Sequence, residues 1–185
     1  MFAIDDAFAD VVRSTSQPAL GAIRLAWWRE ALERLDHGPP PPEPRLQAVA
    51  SELLTRGITG AELGGLEDGW AMLLDEYQDP ERVAARGARL FAFGARLLGA
   101  SDERLAEAGA LFALVDVARR GLARPRLEGR FRPAHRFATR LRPLTALARL
   151  AARDGRQPRM EPEATPQRAW TLVRHRLTGF IPEAD

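Results

Sequence analysis

The sequence of 185 residues contains no cysteine, which excludes disulfide scaffolds, cysteine-ligated zinc, iron–sulfur clusters and thiol nucleophiles. It contains no lysine either, so all 27 basic residues are arginine, and Schiff-base chemistry and a Walker lysine are excluded. Its three histidines, His37, His135 and His175, have no metal-ligand spacing, and we expect each to be satisfied or exposed. No apolar run approaches the roughly 18 residues that span a membrane, and the acidic N-terminus lacks a signal-peptide pattern. These absences predict a soluble, cytoplasmic protein.

The charge is divided unevenly along the chain, although the net charge is only +2. Residues 1–116 contain 11 arginines and 19 acidic residues, a net charge of −8, whereas residues 117–185 contain 16 arginines and 6 acidic residues, a net charge of +10. Such a division is typical of two faces of one domain, or of a core followed by an anion-binding segment. Asparagine is also absent, which indicates GC-rich coding that raises the arginine content without a function behind it.

Helix-forming alanine, leucine and arginine dominate, β-branched residues are sparse and no β-alternation stands out, so the sequence predicts an all-α bundle. Caps, prolines and glycines divide it into predicted helices over about residues 2–12, 18–35, 45–56, 59–74, 79–99, 101–115, 135–153 and 166–177. Nothing precedes the first helix to cap it, so we expect an N-terminal truncation. We predict a single all-α domain over residues 1–185, with a core over 1–122 and an Arg/Pro-rich part over 123–185 that adds two helices.

The strongest candidate for function is the segment of residues 17–32, which contains Trp27 and Trp28. Adjacent side chains on a helix point about 100° apart, so the two rings cannot face one direction. Arg24 and Trp28 are i,i+4 neighbours and can stack as a cation–π pair. From the spacing alone, we interpret the two tryptophans as core anchors on one amphipathic helix.

The same segment, Pro-x-x-x-x-Ile-Arg-Leu-x-Trp-Trp-Arg-Glu over residues 18–30, resembles a motif of the squalene/phytoene synthase family. Further similarities are Leu66-Glu67-Asp68-Gly69-Trp70, the small-residue stretch 87–99, and residues 114–117 where the second acidic motif begins. The resemblance covers about residues 2–122 and implies an isoprenoid-synthase-like helical bundle. Members of this family are transferases of terpenoid biosynthesis, which join two prenyl diphosphates head to head with Mg²⁺ held by two Asp-rich helices.

The resemblance also implies a set of site residues. Magnesium prefers hard oxygen ligands, and carboxylates at i and i+4 lie on one helical face. The implied metal ligands are Asp6, Asp10 and Asp116, with Asp5 beside the first pair, and the implied substrate-binding residues are Arg24, Trp28, Arg119 and Arg120. Both acidic motifs are degenerate, because only Asp10 keeps the register of the first and arginines replace the closing carboxylates of the second. A solvated acidic face and an ordinary helix-surface ion pair are the simpler interpretations.

Degenerate acidic motifs in a short chain resemble a divergent branch of the family, which includes an assembly factor for respiratory complex I. We therefore predict a squalene/phytoene synthase-like protein without full synthase activity, which acts as a ligand-holding or assembly/scaffold homologue. Its partners would be a prenyl diphosphate or another protein. The first alternative is an active prenyltransferase with Mg²⁺ as cofactor. The second is an anion-surface module that binds lipid or RNA through the arginines of residues 124–142, with peripheral membrane contact left open; no recognised nucleic-acid motif supports RNA.

Overall fold

A computed structural model describes residues 1–123, 127, 131, 134–157 and 159–183 of the chain. Of the described residues, 68% are in helices and 3% in strands, which confirms the all-α class. The chain divides into two compact units, Met1–Arg82 and Val83–Asp185. This division lies in the first turn of a long helix and not at residues 122–123, where the composition changes. The single-domain organisation stays a prediction.

The first unit is built from short helical elements that follow two longer helices. Pro18 occupies the first turn of the second helix, where its missing N–H costs no hydrogen bond. Gly57, with φ of 77°, ends the third helical segment in the left-handed region that glycine adopts without strain. The elements are α1 (Phe2–Ser14), α2 (Pro18–Arg34), α3 (Pro44–Ala48), a π-helical turn (Val49–Leu53), a 3₁₀ turn (Leu54–Arg56), α4 (Gly60–Gly64), α5 (Asp68–Ala71) and a second 3₁₀ turn (Met72–Leu74).

A local capping box and one carboxylate distant in sequence cap the N-terminus of α4. Thr59 and Glu62 form the capping box that the sequence predicts. Asp36, just after α2, accepts hydrogen bonds from the backbone N–H groups of Gly60 (2.6 Å) and Ala61 (2.9 Å). Because the first N–H groups of a helix have no partner within it, this carboxylate both satisfies α4 and fixes it against the end of α2.

The second unit is built around four helices: α6 (Pro80–Leu98, beginning in the last residues of the first unit), α7 (Leu105–Arg119), α8 (Arg142–Asp154) and α9 (Pro166–Thr178). The helix predicted from His135 begins later, after a 3₁₀ turn over Thr139–Leu141. His135–Arg136 forms a short strand, β1, which pairs antiparallel with β2, Phe180–Ile181. The prediction was wrong there because the pairing partner lies more than forty residues away and local propensity does not report it.

Small residues let two helices of this unit meet backbone to backbone. A Cβ on Gly87 of α6 would lie 2.0 Å from the carbonyl oxygen of Gly109 in α7, and a Cβ on Gly109 would lie 2.3 Å from that of Gly87. Neither position tolerates a side chain without moving a helix. This contact gives the small-residue stretch of the sequence a packing role.

Arg142, at the start of α8, joins three segments of the second unit. Its guanidinium donates hydrogen bonds to the carbonyl oxygens of Arg176 and Leu177 (both 2.9 Å) at the end of α9, and its Nε donates to that of Phe137 (3.4 Å). The last carbonyls of a helix have no partner within it, so this side chain caps α9.

Candidate functional site

The Trp-Trp segment lies on α2, and three of its large apolar side chains are directed outward. Leu20, Ile23 and Trp27 are exposed, Ile23 by 66% and Trp27 by 46%. Their spacing of i, i+3 and i+7 places them in one stripe, which we call the α2 ridge. The buried face of the helix is formed instead by small and aliphatic residues, among them Leu25 and Leu32. The interpretation of both tryptophans as core anchors is therefore wrong for Trp27.

Trp28 and Arg24 do not form the predicted stack. Trp28 is half-buried, and its ring meets that of Trp27 edge-on, with centroids 5.2 Å apart and an interplanar angle of 81°. Arg24 is exposed and donates to the hydroxyl of Ser14 at the end of α1, at 3.3 Å. The roles of Arg24 and Trp28 in substrate binding stay predictions.

The acidic side chains of α1 have three different environments. Asp5 is buried, and its Oδ1 accepts a 2.7 Å hydrogen bond from the indole Nε1 of Trp70. Asp6 is exposed. Asp10 is half-buried and pairs with Arg13 one turn later, at 2.9 Å. Asp5 thus joins α1 to α5, while the metal-binding role of Asp6 and Asp10 stays a prediction.

Glu67 is a half-buried carboxylate of the first unit whose environment shifts its pKa. Burial is the main cause that raises the pKa of its carboxyl group, and nearby Arg29 partly offsets the rise. The next residue, Asp68, accepts two hydrogen bonds from Arg82, at 2.7 and 3.1 Å. The sequence singled out this motif by resemblance but did not identify Glu67 as a group with a perturbed pKa.

Asp116 of α7 is held by two arginines of the second unit. Its Oδ2 lies 3.3 Å from the guanidinium of Arg86, and its Oδ1 accepts a 2.9 Å hydrogen bond from Nε of Arg120. Arg86 is only 1% exposed and also donates to the carbonyl oxygen of Ala113 at 3.4 Å. A buried guanidinium needs such partners, because its desolvation is costly. Both carboxylate oxygens of Asp116 therefore have a guanidinium partner.

A second carboxylate of this unit, Asp154, is shared by three arginines. It is buried at the end of α8 and pairs with Arg119 at 3.1 Å, with Arg153 at 3.3 Å and with Arg168. Arg119 also donates to the carbonyl oxygen of Glu161 at 3.2 Å. Arg119 is thus an internal ion-pair partner here, and its predicted role in substrate binding, like that of Arg120, stays a prediction.

A small cavity of about 140 Å³ adjoins this ion-pair cluster. Sites that enclose a drug-sized ligand measure about 300–1,000 Å³, so this one fits only a small group such as a carboxylate or a phosphate. Its lining includes Phe112, Leu147, Leu150, Arg119, Asp154 and Arg168.

Two features missing from the described ranges bear on the sequence predictions. Among residues 1–123, 127, 131, 134–157 and 159–183, no group of three or more histidine, aspartate or glutamate side chains is arranged to hold a metal ion. Within the same part of the chain, no helix is long and apolar enough to cross a membrane. Of the arginines in 124–142 assigned to anion binding, Arg136, Arg140 and Arg142 are described, whereas Arg124, Arg126, Arg130 and Arg132 lie outside the described residues.

The histidines have the environments expected of satisfied or exposed side chains. His37 is exposed, and Nε2 of His135 lies 3.0 Å from a carboxylate oxygen of Asp102. His175 is buried in α9, with Nε2 2.9 Å from the Thr145 hydroxyl and Nδ1 3.3 Å from the Phe180 carbonyl oxygen.

Sequence reasoning did not identify Arg86, Asp154 or Arg168. Each is a charged residue in a chain that contains 27 arginines and 25 acidic residues, so its type carries no signal. Burial distinguishes them, and burial follows from packing between helices distant in the sequence. Arg86 precedes Gly87, and the close approach of α6 to α7 at that glycine is the one local feature associated with it.

No family model matches this sequence, and no curated protein and no solved structure matches it significantly.

Proposed function

We propose that the protein is a divergent squalene/phytoene synthase-like homologue that works by binding a protein partner, without full synthase activity. The observation that carries this proposal is that Asp116, at the second acidic motif, and Asp5, beside the first, are both engaged by other side chains of the protein. Asp5 accepts from the buried Trp70 indole, and Asp116 has guanidinium groups of Arg86 and Arg120 at its two oxygens. Carboxylates engaged in this way fit poorly as ligands of Mg²⁺, because a cation would have to displace a guanidinium.

The α2 ridge supports the binding half of the proposal. Exposed apolar stripes are uncommon on helices that have no partner, because they leave apolar area in water. The exposed charges of α2 have both signs, Arg24 and Arg34 against Glu30 and Glu33, as expected for a surface that meets a protein rather than a polyanion. We take the partner to be a protein that presents an apolar helix face.

We also propose that the helices are arranged as in an isoprenoid-synthase-like bundle. The all-α class agrees with it, and the resemblance over residues 2–122 is its source.

Calorimetry with a non-ionisable farnesyl diphosphate analogue tests the absence of synthase chemistry. We expect no binding that depends on Mg²⁺, in the wild type or in Asp10→Asn. Mg²⁺-dependent binding that is lost in Asp10→Asn would overturn the proposal and establish the active prenyltransferase. Binding of equal strength with and without Mg²⁺ would support a ligand-holding homologue.

A photo-crosslinking amino acid on α2 tests the partner surface. At Ile23 we expect one protein to be captured, and at Ala22, which is exposed about 100° around the helix, we expect none. The captured protein, once purified, should bind the wild type and lose most of that binding with Trp27→Ser. Equal capture at both positions, or binding that Trp27→Ser leaves unchanged, would contradict a partner site on the α2 ridge.

A further inference from the structure

The last helix, α9, also directs apolar side chains outward. Trp170, Val173 and Leu177 are exposed, Trp170 by 63% and Leu177 by 72%, and their i, i+3, i+7 spacing forms a stripe that we call the α9 ridge. The inner face of the same helix buries polar residues, including Thr171 and His175. A helix on a protein surface ordinarily has the reverse pattern, with its apolar face inward and its polar face in water.

Cations flank the α9 ridge on both sides. At about 100° per residue, Arg174 lies to one side of the Trp170–Leu177 line and Arg176 to the other, and both are exposed. The segment Pro166–Thr178 contains no acidic residue. Arg136 donates to the Thr178 carbonyl oxygen at 3.1 Å, which adds another exposed arginine at the end of the helix.

A guanidinium of the neighbouring helix adds to this positive charge. Arg149 of α8 is half-buried, and burial is the main cause that lowers the pKa of its guanidinium. Arg174, Arg156 and Arg153 lower it further by repulsion, in that order. Arg149 of α8 and Arg174 of α9 therefore lie close enough to repel each other, and an anion bound beside Arg174 would relieve that repulsion.

A groove between α8 and α9 adds room for a charged headgroup. Its volume is about 450 Å³. Arginine side chains and apolar side chains both line it, as a phosphate attached to a hydrocarbon chain requires. The lining residues are Thr139, Arg142, Pro143, Ala146, Leu172 and Arg176.

We propose that this face, the α9 ridge with Arg174 and Arg176, binds the surface of a membrane that contains anionic phospholipids. The ridge enters the boundary between headgroups and acyl chains, where the amphipathic ring of Trp170 is favoured, and the two arginines bind lipid phosphates. A single convex helix with cations on both sides fits a fluid interface better than it fits a groove on a protein. The α2 ridge has charges of both signs beside it, so it lacks the flanking cations that an anionic membrane surface would bind.

Co-sedimentation with phosphatidylcholine vesicles, with and without phosphatidylserine, tests the proposal on the full chain. We expect strong binding only to the vesicles that contain phosphatidylserine. Arg174→Gln/Arg176→Gln should lower the partition coefficient about 30-fold, because each arginine near an anionic surface contributes about 1 kcal/mol. Trp170→Ser/Leu177→Ser should lower it at least about 10-fold through the lost apolar burial.

The α2 ridge supplies the matched control. Leu20→Ser/Trp27→Ser removes two apolar side chains, one of them a tryptophan, at the same helical spacing, and should leave vesicle binding unchanged. Circular dichroism of all variants is measured to check that their helices are intact. The control substitutions lie on the proposed partner surface. Vesicle binding therefore tests the membrane proposal, and crosslinking at Ile23 tests the partner proposal independently.

Three outcomes would overturn the proposal. Equal binding to both kinds of vesicle would show that the arginines do not direct binding to anionic lipid. Binding that depends on the arginines but not on Trp170 and Leu177 would show electrostatic adsorption alone. Binding of poly(U) that the arginine variant weakens, without any binding to anionic vesicles, would assign the surface to RNA.

Discussion

Arg86 is a buried cation whose partners include one carboxylate and one backbone carbonyl. Its guanidinium contacts Asp116 at 3.3 Å and the Ala113 carbonyl at 3.4 Å. Asp116→Asn would remove a carboxylate partner of this buried charge, so we expect the free energy of unfolding to fall by about 3 kcal/mol. Urea denaturation followed by circular dichroism measures this change.

A double-mutant cycle separates the ion pair from the packing at the same place. Arg86→Met in the Asp116→Asn background should recover part of the loss, because it removes the buried charge that has lost the Asp116 carboxylate and keeps an unbranched apolar chain. Asp10→Asn, which breaks the exposed pair with Arg13, should cost less than about 1 kcal/mol. If Asp10→Asn lowered the free energy of unfolding as much as Asp116→Asn, burial of the ion pair would not determine how much its loss costs.

Glu67 should make the stability of the first unit depend on pH. Its folded-state pKa is raised above 4.5 by burial, so folding favours the protonated carboxyl. The stabilisation is therefore fully present below pH 4.5 and is lost as the pH rises through the folded-state pKa. Glu67→Gln should be more stable than the wild type at pH 7, and the difference should shrink as the pH falls below 4.5. Glu30→Gln, at an exposed position, should show no such trend across the same urea titrations.

At the scale of elements, His175 couples the docking of α9 to pH. Burial is the main cause that lowers the pKa of His175 below 6.5, and Arg149 and Arg142 lower it further, while the hydrogen bond to Phe180 opposes them. The unfolded chain therefore takes up a proton first as the pH falls. The contribution to stability is fully present above pH 6.5 and is lost as the pH decreases through the folded-state pKa.

We expect the free energy of unfolding to fall between pH 7.5 and 5.5, in urea titrations across that range, with a smaller slope in His175→Gln. His37→Gln, which replaces an exposed histidine, should keep the slope of the wild type. Equal slopes in the wild type and in His175→Gln would exclude His175 as the source.

Local chemistry predicted several helix ends. Pro18 and Pro80 occupy first turns, Gly99 with φ of 59° follows the end of α6, and the Thr59–Glu62 capping box is formed. These features depend on residues within a few positions of one another. Non-local features were missed: His135–Arg136 became a strand because Phe180–Ile181 lies beside it, and α7 begins at Leu105 rather than at Ser101.

The candidate site was less predictable than the helices for a related reason. The sequence identified Asp116 and Arg120 as neighbours on one helix, and their 2.9 Å hydrogen bond confirms the simple ion-pair interpretation. It did not identify Arg86, which reaches Asp116 from another helix. Nor did periodicity show that α2 and α9 direct apolar stripes outward, because the pattern fixes which residues share a face and not which face is buried.

At the scale of the whole molecule, the charge division of the sequence agrees with the division into units. Residues 1–82 contain 7 arginines and 15 acidic residues, a net charge of −8, and residues 83–185 contain 20 arginines and 10 acidic residues, a net charge of +10. A net charge of +2 therefore hides two strongly charged units of opposite sign.

We expect the protein to bind both cation and anion exchangers at neutral pH and low salt, because each resin meets a unit of the opposite charge. Arg174→Gln/Arg176→Gln should elute from the cation exchanger at lower salt than the wild type and from the anion exchanger at nearly unchanged salt. Passage of the wild type through either column would contradict two separate charged surfaces.

The hydrogen bonds of Arg142 have a consequence for the way this part of the chain opens. One guanidinium holds the end of α9 and the segment after β1, and the backbone N–H of Phe137 donates to the Gly179 carbonyl at 2.9 Å. None of these segments can unfold by itself without breaking hydrogen bonds that hold the other segments. The amides of the strand pair and of the last turn of α9 therefore exchange with solvent as one cooperative unit, and α9 does not fray residue by residue.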